Sequence, residues 1–396
     1  MSDQHPPRMG RRIAELRKIH GLTQQALALR ANVSYSILRK VERGERPASP
    51  SFIAAIARAL TVSVLDITEQ PHDAQPTSGQ IGVSALRQAL VEGDDPDLDT
   101  SPRTLNDLRA AVAEIKELDR RTKYAEVVGA LPDVLRHLHR AVLDLPSNES
   151  ADAHDVLAAA YSYAITSLYR LGHLDLAHLA DERARAAAAH GDDPLRPAVA
   201  EWNHALILMF DGAYPAALRS IERADAIVDL APTTASLPAV RGALHLRGAI
   251  IAARATNSDL ATGHLAAARS LAVDGQDEID FYATRFGPAN VSIHEVAVPI
   301  ELTDGTTAVT RAAKVTLPAS TAPCRVGHYW IDLSRAWLLH GDRSRALESL
   351  QVARRIAPQL TRYHPQVHET VHVLAARDAR STASLRNFAA WCGIRT

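Results

Sequence analysis

Two short helices joined by a tight turn constrain this chain more than anything else in it. The stretch runs Gly21-Leu22-Thr23-Gln24-Gln25-Ala26-Leu27-Ala28, then Ala31-Asn32-Val33-Ser34-Tyr35-Ser36-Ile37-Leu38, and closes on Val41-Glu42-Arg43-Gly44. A Thr followed by two Gln makes a capped start, with Thr23 as N-cap and Ala26 and Leu27 opening an apolar stripe. Ser34 repeats the device for the next helix. Ile37, Leu38 and Val41, at spacings of three and four, face inward, while Tyr35, Ser36, Arg39, Lys40 and Arg43 point elsewhere. That outward set is basic and rich in hydrogen-bonding groups, which suits a helix laid in a DNA major groove.

The flanking residues complete a small domain. A first helix is expected from about Met9 to His20, with Ile13, Leu16 and Ile19 buried and Gly21 ending it. Ser49-Pro50-Ser51 provides an N-cap with Pro at the first helical position, opening a helix through Phe52, Ile53, Ile56, Ala57 and Leu60. Ser63 opens a short fifth helix. Five helices around one core make a compact head over residues 1–69. Charge separates it from the rest of the chain. The head holds eleven Lys or Arg against six Asp or Glu, and the remainder 33 against 39. A basic head on an acidic body fits a head that meets phosphate and a body that does not.

Residues 10–67 resemble the Cro and phage-repressor type of helix-turn-helix, the XRE family. The likeness rests on Arg17, Gly21-Leu22-Thr23-Gln24, Leu27-Ala28, Val33-Ser34, Glu42-Arg43-Gly44 and Ile56-Ala57-Arg58-Ala59-Leu60. The resemblance implies that Tyr35, Ser36 and Lys40 touch base edges, that Gln24, Ser34 and Arg43 hold backbone phosphates, and that Arg17 and Glu42 form an internal salt bridge. Arg39 joins the DNA-facing set through its place on the same face. Tyr35 has a second reading, in which its ring packs against Arg39 without reading sequence. Arg8, Arg11 and Arg12 form a basic cluster that reads either as a solvated tail or as a minor-groove contact.

Residues 70–80 carry two Pro and no periodic apolar residue, and so read as a linker. An amphipathic helix from about Val83 to Val91 follows. From 81 to 396 the apolar rhythm is helical: Leu105, Leu108, Val112, Ile115 and Leu118 mark one helix, and Val127 through Leu145 a second, past a break near Pro132. Helix pairs then turn near Gly172, Gly212, Asn257, Gly305 and Gly341, at intervals of 40, 45, 48 and 36 residues. Helix pairs repeating at such periods mean a solenoid, so the whole chain is expected to be all-α, a five-helix head followed by an α-solenoid.

The segment from Trp337 to Pro358, with Gly341 at its turn and Ala346, Ala353 and Ala357 on its second helix, resembles a tetratricopeptide repeat. The copy with Leu168, Leu171, Gly172, Ala184 and Ala187 agrees, while Asn257 stands where Gly is expected and Pro299 lies near the end of a first helix. The whole arrangement resembles regulators that join a helix-turn-helix head to a tetratricopeptide-like sensor, including the quorum-sensing type. The segment from Arg285 to Val291 and the Ala- and Arg-rich style are similar to actinobacterial members. A solenoid leaves a concave inner face suited to an extended ligand. Polar and aromatic residues on first helices are the candidate effector contacts: Tyr163, Tyr169, Asn203, Arg247, Arg285, Asn290, His294 and Tyr329.

Other chemistry in the sequence is declined. His368-Glu369-Thr370-Val371-His372 matches H-E-x-x-H, which on a helix would set two imidazoles and a Glu for zinc hydrolysis. A third ligand and a cleft are missing from its context, and Pro365 starts the helix just after His364. His137 and His139 lie about 200° apart on a helix and cannot share a metal. Neither Cys324 nor Cys392 sits in a metal or redox motif, and no Gly-rich phosphate loop follows a strand. No cofactor, metal or enzymatic activity is therefore expected. With two Cys and no long apolar run, the chain reads as cytoplasmic and free of membrane.

The expected function is a sequence-specific transcription regulator. It would bind double-stranded operator DNA, an imperfect palindrome, as a homodimer, with an effector peptide or small molecule modulating that binding from the solenoid. The alternative is a DNA-localised tetratricopeptide scaffold that docks a partner protein.

Overall fold

The structure, a computed structural model, describes residues 8–68, 78–96, 101–273, 280–377 and 383–394. The stretch expected to be a linker lies, through residue 77, outside them. Twenty-one helices form among the described residues, with no strand. The first five make the head: α1 (Arg8–Ile19), α2 (Gln24–Arg30), α3 (Tyr35–Glu42), α4 (Pro50–Leu60) and α5 (Val64–Thr68). The Thr23 hydroxyl accepts from the Ala26 amide at 3.1 Å, and the Ser49 hydroxyl from the Phe52 amide at 3.2 Å. The Ser63 hydroxyl accepts the Asp66 amide and the Asp66 carboxylate accepts the Ser63 amide at the start of α5, a capping box.

Ile13, Leu16, Leu27, Leu38, Val41, Phe52, Ile56 and Ile67 fill the head's core. Gly10 is required there, because a Cβ would collide with the Val41 carbonyl where α1 crosses α3. Ile19, expected inside, is 74% exposed. Steps of three residues rotate about 60° back around a helix each time, so the third member of the 13, 16, 19 series has left the buried face.

The body opens with α6 (Ser78–Glu92), α7 (Leu105–Arg120) and α8 (Tyr124–Asp144). The α8 helix runs unbroken through Pro132, contrary to the expected interruption. Val127, Val128, Leu131, Val134 and Leu135 are all buried around it, and that packing offsets the roughly 3 kcal/mol a helix-interior Pro costs. Five helix hairpins follow. They are α9 (Ser147–Leu171) with α10 (Leu174–Ala188), α11 (Arg196–Phe210) with α12 (Tyr214–Leu230), α13 (Leu237–Arg254) with α14 (Ser258–Leu271), α15 (Pro288–Glu301) with α16 (Gly305–Ala312), and α17 (Pro323–His340) with α18 (Arg343–Ile356). Three short helices, α19 (Pro358–Tyr363), α20 (Pro365–Arg377) and α21 (Ala383–Trp391), finish the stack.

The repeat register is sharper in the backbone than in the residue types. Each hairpin turns on one left-handed residue: Gly172, Gly212, Thr256, Thr303 and Gly341. The third and fourth positions are therefore Thr256 and Thr303, not Asn257 and Gly305. An Ala lies five residues after each of the five, at 177, 217, 261, 308 and 346, and all are fully buried. Small side chains at that point let the second helix close against its neighbours. Asn257, Asp304 and Asp342 instead cap the second helices with their side chains.

The head is docked onto this stack. Ala54 of α4 is buried in the core formed by α11, α12 and α13, and a Cβ on Gly212 would lie 2.6 Å from the Ala54 Cβ. Gly212 thus serves twice, as a left-handed turn residue and as the point where the head's backbone closes on the body. Arg58 donates to the Gly212 carbonyl at 3.4 Å, and Leu65 packs on the apolar core of α6 to α10. At the far end of the stack, Glu369 of α20 accepts the Ala48 amide at 2.9 Å.

Candidate DNA-binding face and interdomain chamber

The outer face of α3 presents Tyr35, Ser36, Arg39 and Lys40 to solvent, with Ser34 before it and Arg43 after it. Ser34 has the extended backbone of an N-cap, yet its hydroxyl makes no bond to the helix. The first amides of α3 are left for an outside acceptor, the arrangement that favours a phosphate at a helix start. The Arg39 guanidinium lies 5.6 Å from the centre of the exposed Tyr35 ring, within cation–π reach. Arg43 forms an exposed ion pair with Glu45 at 2.6 Å.

Beneath this face lies a closed polar network. Arg17 meets Glu42 through two bonds, at 2.8 and 3.0 Å, and its third nitrogen donates to the Leu22 carbonyl. Glu42 also accepts the Gln24 amide at 2.6 Å. Gln24, read from sequence as a phosphate contact, is thus turned inward onto Glu42 and fixes the start of α2 against the end of α3. Arg12 donates to the Asp66 carbonyl at 2.8 Å and so ties α1 to α5. Arg11 pairs with Glu15, and the Arg8 side chain lies outside the described residues.

The second feature is a chamber of about 250 Å³ between head and body. Seven of the eight expected effector residues line it: Tyr163, Tyr169, Asn203, Arg247, Arg285, Asn290 and His294. First helices of successive hairpins face the concave side, which is why six of these residues, so far apart in sequence, converge; Arg285, expected on a first helix, reaches the chamber from the segment before α15. Tyr329 does not join them. It is buried among Ile293, Val296, Leu333 and Ala336, in the seam of α15, α16 and α17, with its hydroxyl 3.4 Å from the Ala312 carbonyl. One helical face away from the lining set was enough to place it in the core. Sequence reading missed the other wall, which is the head itself: Pro50 and Ile53 of α4 with Val64, Leu65 and Thr68 of α5.

Charge is unevenly distributed in the chamber. Among the described residues six guanidiniums and three carboxylates line it. Arg285 meets Asp119 at 2.5 Å, with both side chains buried, and the Asn290 amide holds the Arg285 carbonyl at 2.8 Å. Glu301 lies between Arg254 at 3.2 Å and Arg335 at 2.9 Å, and Arg335 also meets Asp332 at 2.9 Å. Burial alone would raise the Glu301 carboxyl; the two guanidiniums reverse that and hold it at about 2. These carboxylates account for Arg254, Arg285 and Arg335.

Arg170, Arg247 and Arg325, missed from sequence except for Arg247, have no carboxylate partner among the described residues. Arg170 lies between the rings of Tyr124 and Tyr169, 5.2 and 5.1 Å from their centres, and meets His328 at 2.7 Å. Arg247 stacks 3.4 Å over the Trp202 ring and donates to the Trp202 carbonyl. The Arg325 Nε is buried with no hydrogen-bond partner. The neighbouring rings respond. Burial, reinforced by Arg325 and Arg247, drives His294 down to about 4, and burial with Arg170 and Arg325 holds His328 well below its ordinary value. Arg247 itself falls to about 9, through burial and then the charges of Arg325 and Arg170, against an opposing contribution from Tyr169. The signal in sequence was Arg170 beside Tyr169 and the Arg325, His328 pair one turn apart, all on first helices.

The H-E-x-x-H segment has a different use. Glu369 is turned onto the Ala48 amide, and His368 meets the Arg362 carbonyl at 2.6 Å. Among the described residues no group of three or more His, Cys, Asp or Glu is placed to hold a metal, and no helix is long and apolar enough to cross a membrane. Cys324 and Cys392 are buried free thiols.

Comparison with known proteins bears on the head. A helix-turn-helix family model matches residues 13–67. The uncharacterized HTH-type transcriptional regulator YazB of Bacillus subtilis (strain 168) is 43% identical over 54 residues, which are 14% of this chain and 78% of that protein. Among solved structures, PlcR of Bacillus thuringiensis in complex with the peptide PapR7 and DNA aligns over 67% of this chain and 94% of its own, at 14% identity and a TM-score of 0.29. BtubC (BKLC) from P. vanneervenii aligns over 66% and 94%, at 17% identity and a TM-score of 0.33. Superpositions this loose carry no functional inference.

Proposed function

Since the chain belongs, through residues 13–67, to the HTH-type transcriptional regulators, we propose that it binds operator DNA through α3 and that an effector held in the chamber modulates that binding. Tyr35, Ser36 and Lys40 read base edges, and Ser34, Arg39 and Arg43 with the open amides of α3 hold phosphates. The chain acts as a homodimer in the cytoplasm. Its two heads reach half-sites about 34 Å apart or a multiple of that, so the operator is an imperfect palindrome.

One observation carries the regulatory half of this reading: α4 and α5 of the head form a wall of the chamber. An effector, peptide or small molecule, touches head and body together and therefore binds docked and released heads unequally. Unequal binding is what a ligand needs to shift a conformational equilibrium. The test is selection of bound sequences from random duplexes, followed by affinity measurements on the winner. A two-fold related site, with discrimination lost in the Tyr35→Ala, Ser36→Ala, Lys40→Ala triple variant, is expected. A site without symmetry, or a triple variant that discriminates as well as the parent, contradicts the assignment.

A further inference from the structure

The unpaired half of the chamber identifies the chemistry of its ligand. We propose that the sector formed by Arg170, Arg247 and Arg325 binds a small organic anion, its carboxylate or phosphate held by those guanidiniums and its apolar body lying toward Leu206, Phe210 and Ile250. This rests on the chamber being the effector site. Guanidinium pairs match carboxylate and phosphate oxygens bidentately, and Arg is the side chain suited to doing so away from water.

Three observations converge. The chamber's own carboxylates are committed to Arg254, Arg285 and Arg335, so its excess positive charge falls on the other three. Those three line the same chamber, where Arg170 and Arg325 both bear on the His328 ring; Asp119 acts in part on Arg170, but no carboxylate acts on Arg247, which Arg325 and Arg170 both depress. The Nε atoms of Arg325 and Arg170 are sealed from solvent with no hydrogen-bond partner. Holding like charges together away from water is costly, and a protein that folds around them gains from the anion that neutralises them.

Size narrows the class. A volume of about 250 Å³ falls below the roughly 300–1,000 Å³ of pockets for drug-sized ligands. That size suits an aryl or short alkyl acid. The lining is mixed in the way that such a ligand requires. The Tyr169 and Phe210 rings lie 4.7 Å apart at one side, and Ile53 and Leu65 of the head close another.

The experiment is thermal unfolding of the full chain with a panel of aryl and alkyl carboxylates and aryl phosphates, such as phenylacetate and phenyl phosphate. Each is paired with its uncharged amide or alcohol, and inorganic phosphate stands for the head group alone. Organic anions are expected to raise the midpoint by several degrees where their neutral partners do not. Carboxylate and phosphate arms show which head group is preferred, and the inorganic phosphate arm whether the apolar body is needed. Arg325→Met is expected to raise the ligand-free midpoint and to lose the anion response, while Arg325→Lys retains part of it. An arginine with a purely structural role would lower the ligand-free midpoint when removed. Neutral partners stabilising as well as the acids, no anion stabilising at all, or a lowered Arg325→Met midpoint would each overturn the assignment. Effector control fails separately, if anions bind with the expected Arg325 dependence yet leave the affinity for selected operator DNA unchanged.

Discussion

The head and the chamber both use arginine, in opposite ways. In the head, the buried guanidinium is Arg17, and it is saturated by Glu42 and the Leu22 carbonyl; the cations left over, Arg39 and Lys40, stand in water on α3. In the chamber, Arg254, Arg285 and Arg335 are paired with carboxylates, but Arg170, Arg247 and Arg325 are not, and those three are half-buried. A cation in water costs little and attracts a polyanion over distance. One out of water without a counter-charge costs stability and selects a ligand that supplies the charge. The difference separates structural arginines, a DNA-facing surface and a binding site by pairing and solvent alone.

Substitutions can break that comparison, and the largest effect is expected where pairing is deepest. Asp119→Asn leaves Arg285 buried without its counter-ion and should cost about 3–5 kcal/mol, read as the shift of the denaturant midpoint. Arg325→Met, in the same chamber, should shift it the other way; equal losses from both would erase the distinction between the two sectors.

Glu42→Gln comes next, with an expected loss of about 2–3 kcal/mol in head stability, since a buried charge-assisted pair becomes a neutral one with Arg17 uncompensated. Amide exchange of α1 to α3 reads this directly. Exchange unchanged from the parent would mean that the network is ornamental.

The contact between Glu369 and Ala48 sharpens the comparison with a buried group of the other sign. Burial, opposed only by the Ala48 amide, lifts its carboxyl to about 7. The folded state then holds the proton more tightly than the unfolded chain, so this group's contribution is present at low pH and is lost as pH rises from about 4.5 through 7. Glu369→Gln keeps an oxygen for the Ala48 amide without the charge. It should match the parent near pH 4.5 and exceed it by about 3 kcal/mol at pH 8. A variant less stable than the parent at pH 8 would show that the ionised form is the one that fastens the head.

The smallest effect is on the exposed surface. Arg43→Ala should weaken all DNA sequences alike by about 1 kcal/mol and flatten the salt dependence by about one counter-ion, because the Glu45 pair already competes for this guanidinium. A loss confined to one base position would make Arg43 a reader of sequence instead.

Local signals carried most of the head and most of the repeat. Thr23 and Ser49 act on neighbours in sequence, and the glycine turns at 172, 212 and 341 mark hairpins by backbone conformation. Thr256 and Thr303 fell within the expected turns but did not stand out as their left-handed residues, since that backbone is rare for Thr and only the buried Ala five residues later betrays the register. Pro132 and Ile19 erred for related reasons: tertiary packing overrode a local penalty in one, and spacing drifted off the buried face in the other. Concave-face reasoning reached six chamber residues because first helices share one side, and Arg285 from the segment before α15. It could not reach Ile53 and Leu65, whose place in the wall depends on how the head docks, nor tell Tyr329 from its neighbours when a single face of α17 decides between core and chamber. The bond from half-buried Gln24 to Glu42 was not legible because the two lie 18 residues apart.

Linkage offers the most direct test of the central claim, that the chamber and α3 act on one another through the docked head. The affinity of the full chain for its selected operator is measured with and without a saturating organic anion from the panel, and the affinity for that anion with and without saturating operator. Both ratios are predicted to differ from one, in the same direction and by the same factor, as coupling between two sites requires. Ratios of one in both directions would contradict the account.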